Sequence, residues 1–357
     1  MALALFAQFI VDLLAFFAVY MILSVSLNLE FGYTGVPNFG KVLLVAGGAY
    51  VVAAFSGRFS QLLLNVAVDK DFIKDNAAVM AAVNSAFSQD IVAALIVFFA
   101  TIVLAALVGG ALGYLASYPA VRLREDYLGM TLLAIGEISR VIGQNYEPIA
   151  GGTLGVQVPD PFAWAGEVRF LAFTLILLAF AGLIYLYAER IARSPLGRLL
   201  RSIRDNELSA EALGKDATKV RIKILIVGSA IAGVAGALYS FYAGGVVATA
   251  FNRVDWTFWP WLILIIGGAA NNVGVAFGSF IFITARRVIE FYKDSFTFLP
   301  FDAVWLEYLL LGAILILVLI YRPEGLIPEK ATPTISNKRL KALIKKVKDE
   351  ADHKDNV

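Results

Sequence analysis

A helix needs about 20 apolar residues to cross the roughly 30 Å hydrocarbon core of a bilayer. This sequence supplies windows of that kind repeatedly, at 5–30, 36–55, 91–117, 127–144, 170–188, 223–245, 258–270, 273–291 and 305–321. Of its 357 residues 59% are hydrophobic and 16% charged, and the mean hydropathy is +0.76. A soluble domain is nearer half apolar and a quarter charged, so the solvent for most of this chain is lipid. The expected fold class is all-α, a polytopic integral membrane helix bundle of about 8–10 transmembrane helices. Windows 36–55, 127–144, 258–270 and 273–291 are short, glycine-broken or charged. Broken spans persist only where they are packed in protein or line a cavity. The N-terminal apolar run lacks a basic leader region and is too long for a signal peptide, so it reads as a first span.

Several chemistries are excluded. There is no cysteine, and the single histidine, His353, lies in the polar tail. Thiolate sites, histidine dyads and multi-histidine metal centres are therefore not expected. A net charge of +2 gives no footprint for nucleic acid. Residues 35–41, GVPNFGK, match the first seven positions of a phosphate-binding loop, but Val42 stands where Ser or Thr is needed and no strand precedes it. No nucleotide site is expected in this chain, and no catalytic centre or cofactor.

Lysine and arginine set the expected orientation. Nine basic residues fall in 189–223, Arg122 and Arg124 fall in 118–126, and the tail beyond Arg322 is lysine-rich, which places all three in the cytoplasm. Segments 56–90 and 145–169 lean acidic and face outward, as does the N-terminus. Arg286 and Arg287 oppose this scheme, because they fall near the outer end of a span. The expected organisation is a membrane domain over 1–330, with an extracytoplasmic insertion at 56–90 and a cytoplasmic loop at 189–222, then a basic tail at 331–357. Leu340, Leu343, Ile344 and Val347 form an apolar stripe in that tail, suited to lipid or a partner.

The cytoplasmic loop carries the strongest local signals. Ser194 followed by Pro195 is a helix start. Leu196, Leu200 and Ile203 then share one face, with Arg198, Arg201 and Arg204 on the other. Asp205 is the expected cap of a second short helix bearing Leu208 and Ala212, closed by Gly214, and Asp216 begins the return into the membrane. Such a pair is either a docking element for a soluble partner or a charged connector lying on lipid.

Inside the membrane, Glu137 and Arg140 are spaced to share a helix face and pair. They lie beside a permeation path or fix helix packing. Two glycine-broken segments, 32–50 with Asn38 and Lys41, and 265–280 with Asn271 and Asn272, fit either a central site or close packing through small residues such as Gly274 and Gly278. Gly151, Gly152, Thr153 and Gly155 make a compact outer turn.

Four blocks, LNLEFGYTG…GGAY (27–50), RLREDYLGMTLLAIGEISRVI…GGTLGV (122–156), RSPLGRLLRSIRDNELSAEALG (193–214) with AGVAGALYS (232–240), and IIGGAANNVG (265–274) with YRPEGLIP (321–328), together resemble the LivM-type permease of branched-chain amino acid ABC importers. The resemblance implies a multi-pass cell-membrane subunit that moves leucine, isoleucine or valine. It implies two ABC ATPase subunits that bind ATP and Mg, a LivH-type sister permease and an extracytoplasmic substrate-binding protein as partners. It also implies that Pro195, Gly197, Arg198, Arg201, Ile203, Arg204, Glu207 and Gly214 couple the chain to the ATPases, and that the Gly151–Gly155 turn is an outer gate or binding-protein contact. Related permeases carry urea or short amides. An ion-driven secondary transporter would want more intramembrane carboxylates than Glu137 and Glu30, and a membrane enzyme would want clustered polar residues at lipid depth.

Overall fold

The computed structural model describes residues 2–123, 125–293 and 303–329. The apolar stripe expected in the tail lies outside them. The first two windows become helices extended by one π-helical turn each. Helix α1 (Ala2–Leu27) runs on through Asn28–Gly32. Helix α2 (Lys41–Val51) passes through Val52–Ser56 into α3 (Gly57–Leu64). The second crossing therefore starts and ends later than the window 36–55, and the segment that links it to α5 (Ile91–Arg122) begins near residue 65. There follow α4 (Asn76–Phe87), α5 (Ile91–Arg122), α6 (Glu125–Asn145) and the single turn α7 (Glu147–Ala150). The second half contains α8 (Arg169–Arg193), α9 (Pro195–Asp205), α10 (Glu207–Ala212), α11 (Ala217–Ala243), α12 (Trp259–Gly267), α13 (Asn272–Phe291) and α14 (Ala303–Tyr321).

Among the described residues, six helices are long and apolar enough to cross a membrane. Helix α6 is more polar, and Val254–Gly267 and Gly312–Tyr321 are shorter apolar helices. Burial sorts the crossings: 78% of the α11 window and 67% of those of α1 and α2 are inside, against 22% for α8. The centre is thus α1, α2 and α11, while α8 leaves most of its surface uncovered by the rest of the chain. Main chains approach closely there. A Cβ on Gly48 would lie 1.9 Å from the Gly233 carbonyl oxygen, and one on Gly236 would lie 2.0 Å from that of Val45. In lipid, this kind of contact replaces the hydrophobic drive that packs soluble helices.

At one end, β1 (Val156–Gln157) pairs antiparallel with β2 (Gly245–Val246). Helix α4 is fastened to this patch: Asn76 exchanges hydrogen bonds with Gln157 at 2.8 and 3.2 Å, and the Asn84 side chain accepts from the Asp160 amide at 2.8 Å. Segment 65–90 is therefore a packed cap on that end. The basic residues Arg286 and Arg287 do not stand as free charges. Arg286 pairs with Asp255 at 3.3 Å and donates to Tyr20 at 3.0 Å, and Arg287 pairs with Glu290 at 2.6 Å.

Candidate functional site

The candidate site is the opposite end, where α9, α10 and both helix breaks meet. Ser194 caps α9, its hydroxyl accepting from the Gly197 amide at 3.4 Å. Pro195 fills the first turn, and Gly197 packs where a Cβ would strike the Ala192 carbonyl oxygen. Leu200 and Ile203 are buried, whereas Leu196 is exposed. The second cap differs from expectation. Asn206, not Asp205, accepts from the Ser209 amide at 2.9 Å, because Asp205 ends α9 paired with Arg204 at 2.9 Å. The buried side of α10 is Ala210, packed with Ile203 and Ala217, and Leu208 and Ala212 turn outward. Gly214 closes α10 in the left-handed conformation, φ +75°.

Asp216 caps α11, accepting from the Lys219 amide at 2.9 Å and pairing with its ammonium at 3.0 Å. The bond from the Lys219 amide, then the one from its side chain, hold the Asp216 carboxyl below the usual carboxylate range. A depressed folded-state pKa keeps the cap at neutral pH and loses it as pH falls through that value. Protection of the Lys219 amide against hydrogen exchange, corrected for intrinsic rate, is expected to drop as pH falls below about 4; pH-independent protection would contradict this.

Both glycine-broken segments converge here. The Asn28 amide donates to Asn272 Oδ1 at 2.9 Å and its oxygen accepts from the Ala270 amide at 2.8 Å. Asn272 in turn donates to Glu189 at 2.9 Å. Asn271 caps α13 through the Val273 and Gly274 amides and donates to the Pro328 carbonyl at 2.9 Å. Gly274 and Gly278 pack against Gly267, so close helix contact holds at this break. Asn38 donates to Glu30 at 2.9 Å. Glu30 also pairs with Lys41 at 2.9 Å, both side chains fully buried, and Lys41 donates to Ser26 at 2.9 Å. Lys41, the last residue of the rejected phosphate-loop match, is therefore an interior ion-pair partner. Glu30 Oε1 has no hydrogen-bond partner and lies against Gly228.

Four expected coupling residues turn out to face inward or bond within the chain. Arg201 and Arg204 reach Glu329 at 2.7 and 2.9 Å, Glu207 pairs with Arg221 at 2.6 Å, and Ile203 is core. Burial works against the charge on Arg204, but hydrogen bonds to Glu329 and Asp205 leave its pKa above the ordinary value. The outward set is Arg198 with Leu196, Leu208 and Leu213, the last two 79% exposed. Sequence reasoning passed over Glu329, Glu189 and Asn28; the only signal for Glu329 was the Pro- and Gly-punctuated run YRPEGLIP just before it.

Glu137 and Arg140 do pair, on α6, and remain 38% and 30% exposed. Between them in the chain, the Ser139 carbonyl accepts from Tyr50 of α2 at 3.4 Å, so the pair stands beside the α2 face of α6. Gly151, Gly152 and Gly155 all have positive φ, at 71°, 66° and 75°, and the turn holds Thr153 and Leu154 out in solvent. Among the described residues no cluster of His, Cys, Asp and Glu could hold a metal ion.

These features define a multi-pass helical membrane protein of the cell membrane, with an interlocked helix pair projecting from one end. The family described as "Branched-chain amino acid transport system / permease component" matches residues 9–319. The chain belongs to that family and is a transport subunit. It is 41% identical over 332 residues to the "Probable branched-chain amino acid transport permease protein LivM" of Methanocaldococcus jannaschii, covering 91% of this chain and 96% of the relative. It is 25% and 24% identical to the "High-affinity branched-chain amino acid transport system permease protein LivM" of Salmonella typhimurium and of Escherichia coli. Each alignment covers 89% of this chain and 70% of the relative. No solved structure matches.

Proposed function

We propose that this chain is the LivM-type half of an ABC importer that brings branched-chain amino acids into the cell. The α9–α10 pair faces the cytoplasm and receives two separate ATPase subunits, which bind the ATP and Mg. The chain itself holds no nucleotide or catalytic site. A LivH-type sister permease completes the pore. An external binding protein delivers solute at the turn around Gly151, Gly152, Thr153 and Gly155. The observation that carries this reading is the α9–α10 pair itself: it is capped at both starts, anchored on a small core, and bonded to both helix breaks. A rigid element of this kind converts a push from outside into a shift of the crossings, provided the ATPases contact the two access states differently.

Orientation is supported by the cations at this end, Arg193, Arg198 and Lys215 among them. Helix α6 is the side offered to the sister permease, since an ion pair half exposed at lipid depth must meet protein or water. Leucine, isoleucine and valine are preferred over urea or short amides because all three relatives are named for branched-chain amino acids.

Arg201 and Glu207 make their bonds within the chain, so the docking test falls on the outward leucines. Leu208→Asp with Leu213→Asp is expected to abolish co-purification of the ATPases and ATP-dependent uptake of labelled leucine, with the chain still inserted in the membrane. A hot-spot side chain truncated at an interface typically costs 2 kcal/mol or more, about thirtyfold in affinity. Wild-type co-purification from the double variant would remove α10 from the docking surface.

A further inference from the structure

The eight residues after α14 cross nothing, yet they are bonded along their length. Residues 322–329 turn back beneath the bundle as a strap. The Leu326 and Ile327 amides donate to the Ile266 and Gly267 carbonyls at 2.9 and 3.1 Å. Those are among the last carbonyls of α12, which a helix end leaves without partners. The Pro328 carbonyl accepts from Asn271, the cap of α13. Gly325, at φ +80°, lies so close that a Cβ would stand 2.5 Å from the main chain of Gly268. The strap is thus part of the α12–α13 break.

Its last described residue, Glu329, is held from the other side. Arg201 Nε donates to Oε1 at 2.7 Å and Arg204 Nη2 donates to Oε2 at 2.9 Å. All three side chains are partly buried, where charge-assisted bonds are strong. The same arginines grip the α1–α2 break. Arg204 Nη1 donates to the Gly32 carbonyl at 2.6 Å, and Arg201 lies 4.9 Å from the centre of the Tyr33 ring. Beside the clasp is a cavity of about 480 Å³, lined by Phe31, Ala269, Pro323 and Glu324 as well as Arg204 and Glu329.

We infer that Glu329 is a positioning residue for transport: clasped by Arg201 and Arg204, it carries movement of α9 into the α12–α13 break, while the arginines themselves carry it into the α1–α2 break. This rests on the proposal that α9 and α10 receive the ATPases. One helix then drives both interrupted regions at once, although they lie more than 200 residues apart in the chain. Losing the carboxylate frees one of the two. Helix α9 keeps its grip on Gly32 and Tyr33, and α10 keeps its core of Ile203, Ala210 and Ala217.

The test uses the complete importer in proteoliposomes, with ATP hydrolysis and labelled leucine uptake measured on the same vesicles. In Glu329→Gln the ATPases are expected to remain bound and hydrolysis to stay within about twofold. Uptake is expected to fall about tenfold, the factor that corresponds to one charged hydrogen bond. ATP consumed per leucine therefore rises at least about fivefold, and Glu329→Asp, which keeps the charge with a shorter reach, gives an intermediate ratio. A purely structural contact would lower hydrolysis and uptake together and leave the ratio unchanged, which would overturn the inference. Wild-type uptake by Glu329→Gln would also overturn it, as would loss of the bound ATPases. The two readings fail separately. ATPases retained by the Leu208→Asp/Leu213→Asp variant count against docking, whereas an unchanged ratio in Glu329→Gln counts against the strap.

Discussion

Replacing Lys41 by methionine is expected to prevent most of the chain from reaching a folded state. The ammonium lies 2.9 Å from Glu30 with neither side chain exposed. Removing it leaves a carboxylate in the bundle interior, served only by the Asn38 amide. Breaking a buried pair from one side costs about 3–5 kcal/mol, because the remaining charge has lost its partner and cannot reach water. That is comparable with the whole stability of many domains, about 5–15 kcal/mol. Removing both charges is expected to be milder, so Lys41→Met with Glu30→Gln should recover most of the folded yield. The measurement is thermal unfolding of the detergent-solubilised chain for the wild type, both single variants and the double variant, read as a cycle. Additive single losses would show that the pair is not coupled, and a stable Lys41→Met would show that Glu30 is not confined as described.

Widening the α2–α11 contact is expected to be nearly as damaging. In Gly48→Val the new Cβ alone would meet the Gly233 oxygen, carbonyl carbon and Cα at 1.9, 2.6 and 2.8 Å. All three are main-chain atoms, so no rotamer change relieves the clash and the helices must part. Overpacking costs about 1–3 kcal/mol, and more where backbone must move. The damage spreads, since separating α2 from α11 also disturbs Gly236 against Val45. Gly182→Val on α8 is the control. It has the same chemistry in a helix of the same kind, but nothing stands within 4 Å of its Cβ position. The fraction recovered as a monodisperse species in detergent should collapse for Gly48→Val and stay near wild type for Gly182→Val. Equal behaviour of the two would mean that close approach at Gly48 does not hold the bundle together.

How far the sequence could be read depended on the range of the interaction. Apolar length located every crossing, because it reflects bilayer thickness and nothing finer. Spacing of three paired Glu137 with Arg140. Capping chemistry found Ser194, Gly214 and Asp216. Local rules gave the wrong cap at Asp205 because Asn206 beside it is equally able, and the choice is made by Arg204, which takes the Asp205 carboxylate. The π-helical turns at Asn28–Gly32 and Val52–Ser56 leave no mark in an apolar run. Glu30 with Lys41 fits no helical spacing, since a break lies between them. The clasp of Glu329 joins residues 128 and 125 positions apart, beyond any local rule.

The placement of that buried pair has a consequence for how the protein is made. Helices α1 and α2 are synthesised first, yet much of the surface that covers them belongs to α11, which leaves the ribosome almost 200 residues later. For that interval α2 lacks its main neighbour, and α1 lacks α8, α11 and α13. An unpaired carboxylate or ammonium would be most exposed to rejection during this wait. Because only the short connection between α1 and α2 separates Glu30 from Lys41, the two charges can neutralise each other once α2 has entered, before α11 exists. The ion pair that stabilises the finished bundle is thus made from the first two crossings alone, so neither charge depends on a later helix for its partner.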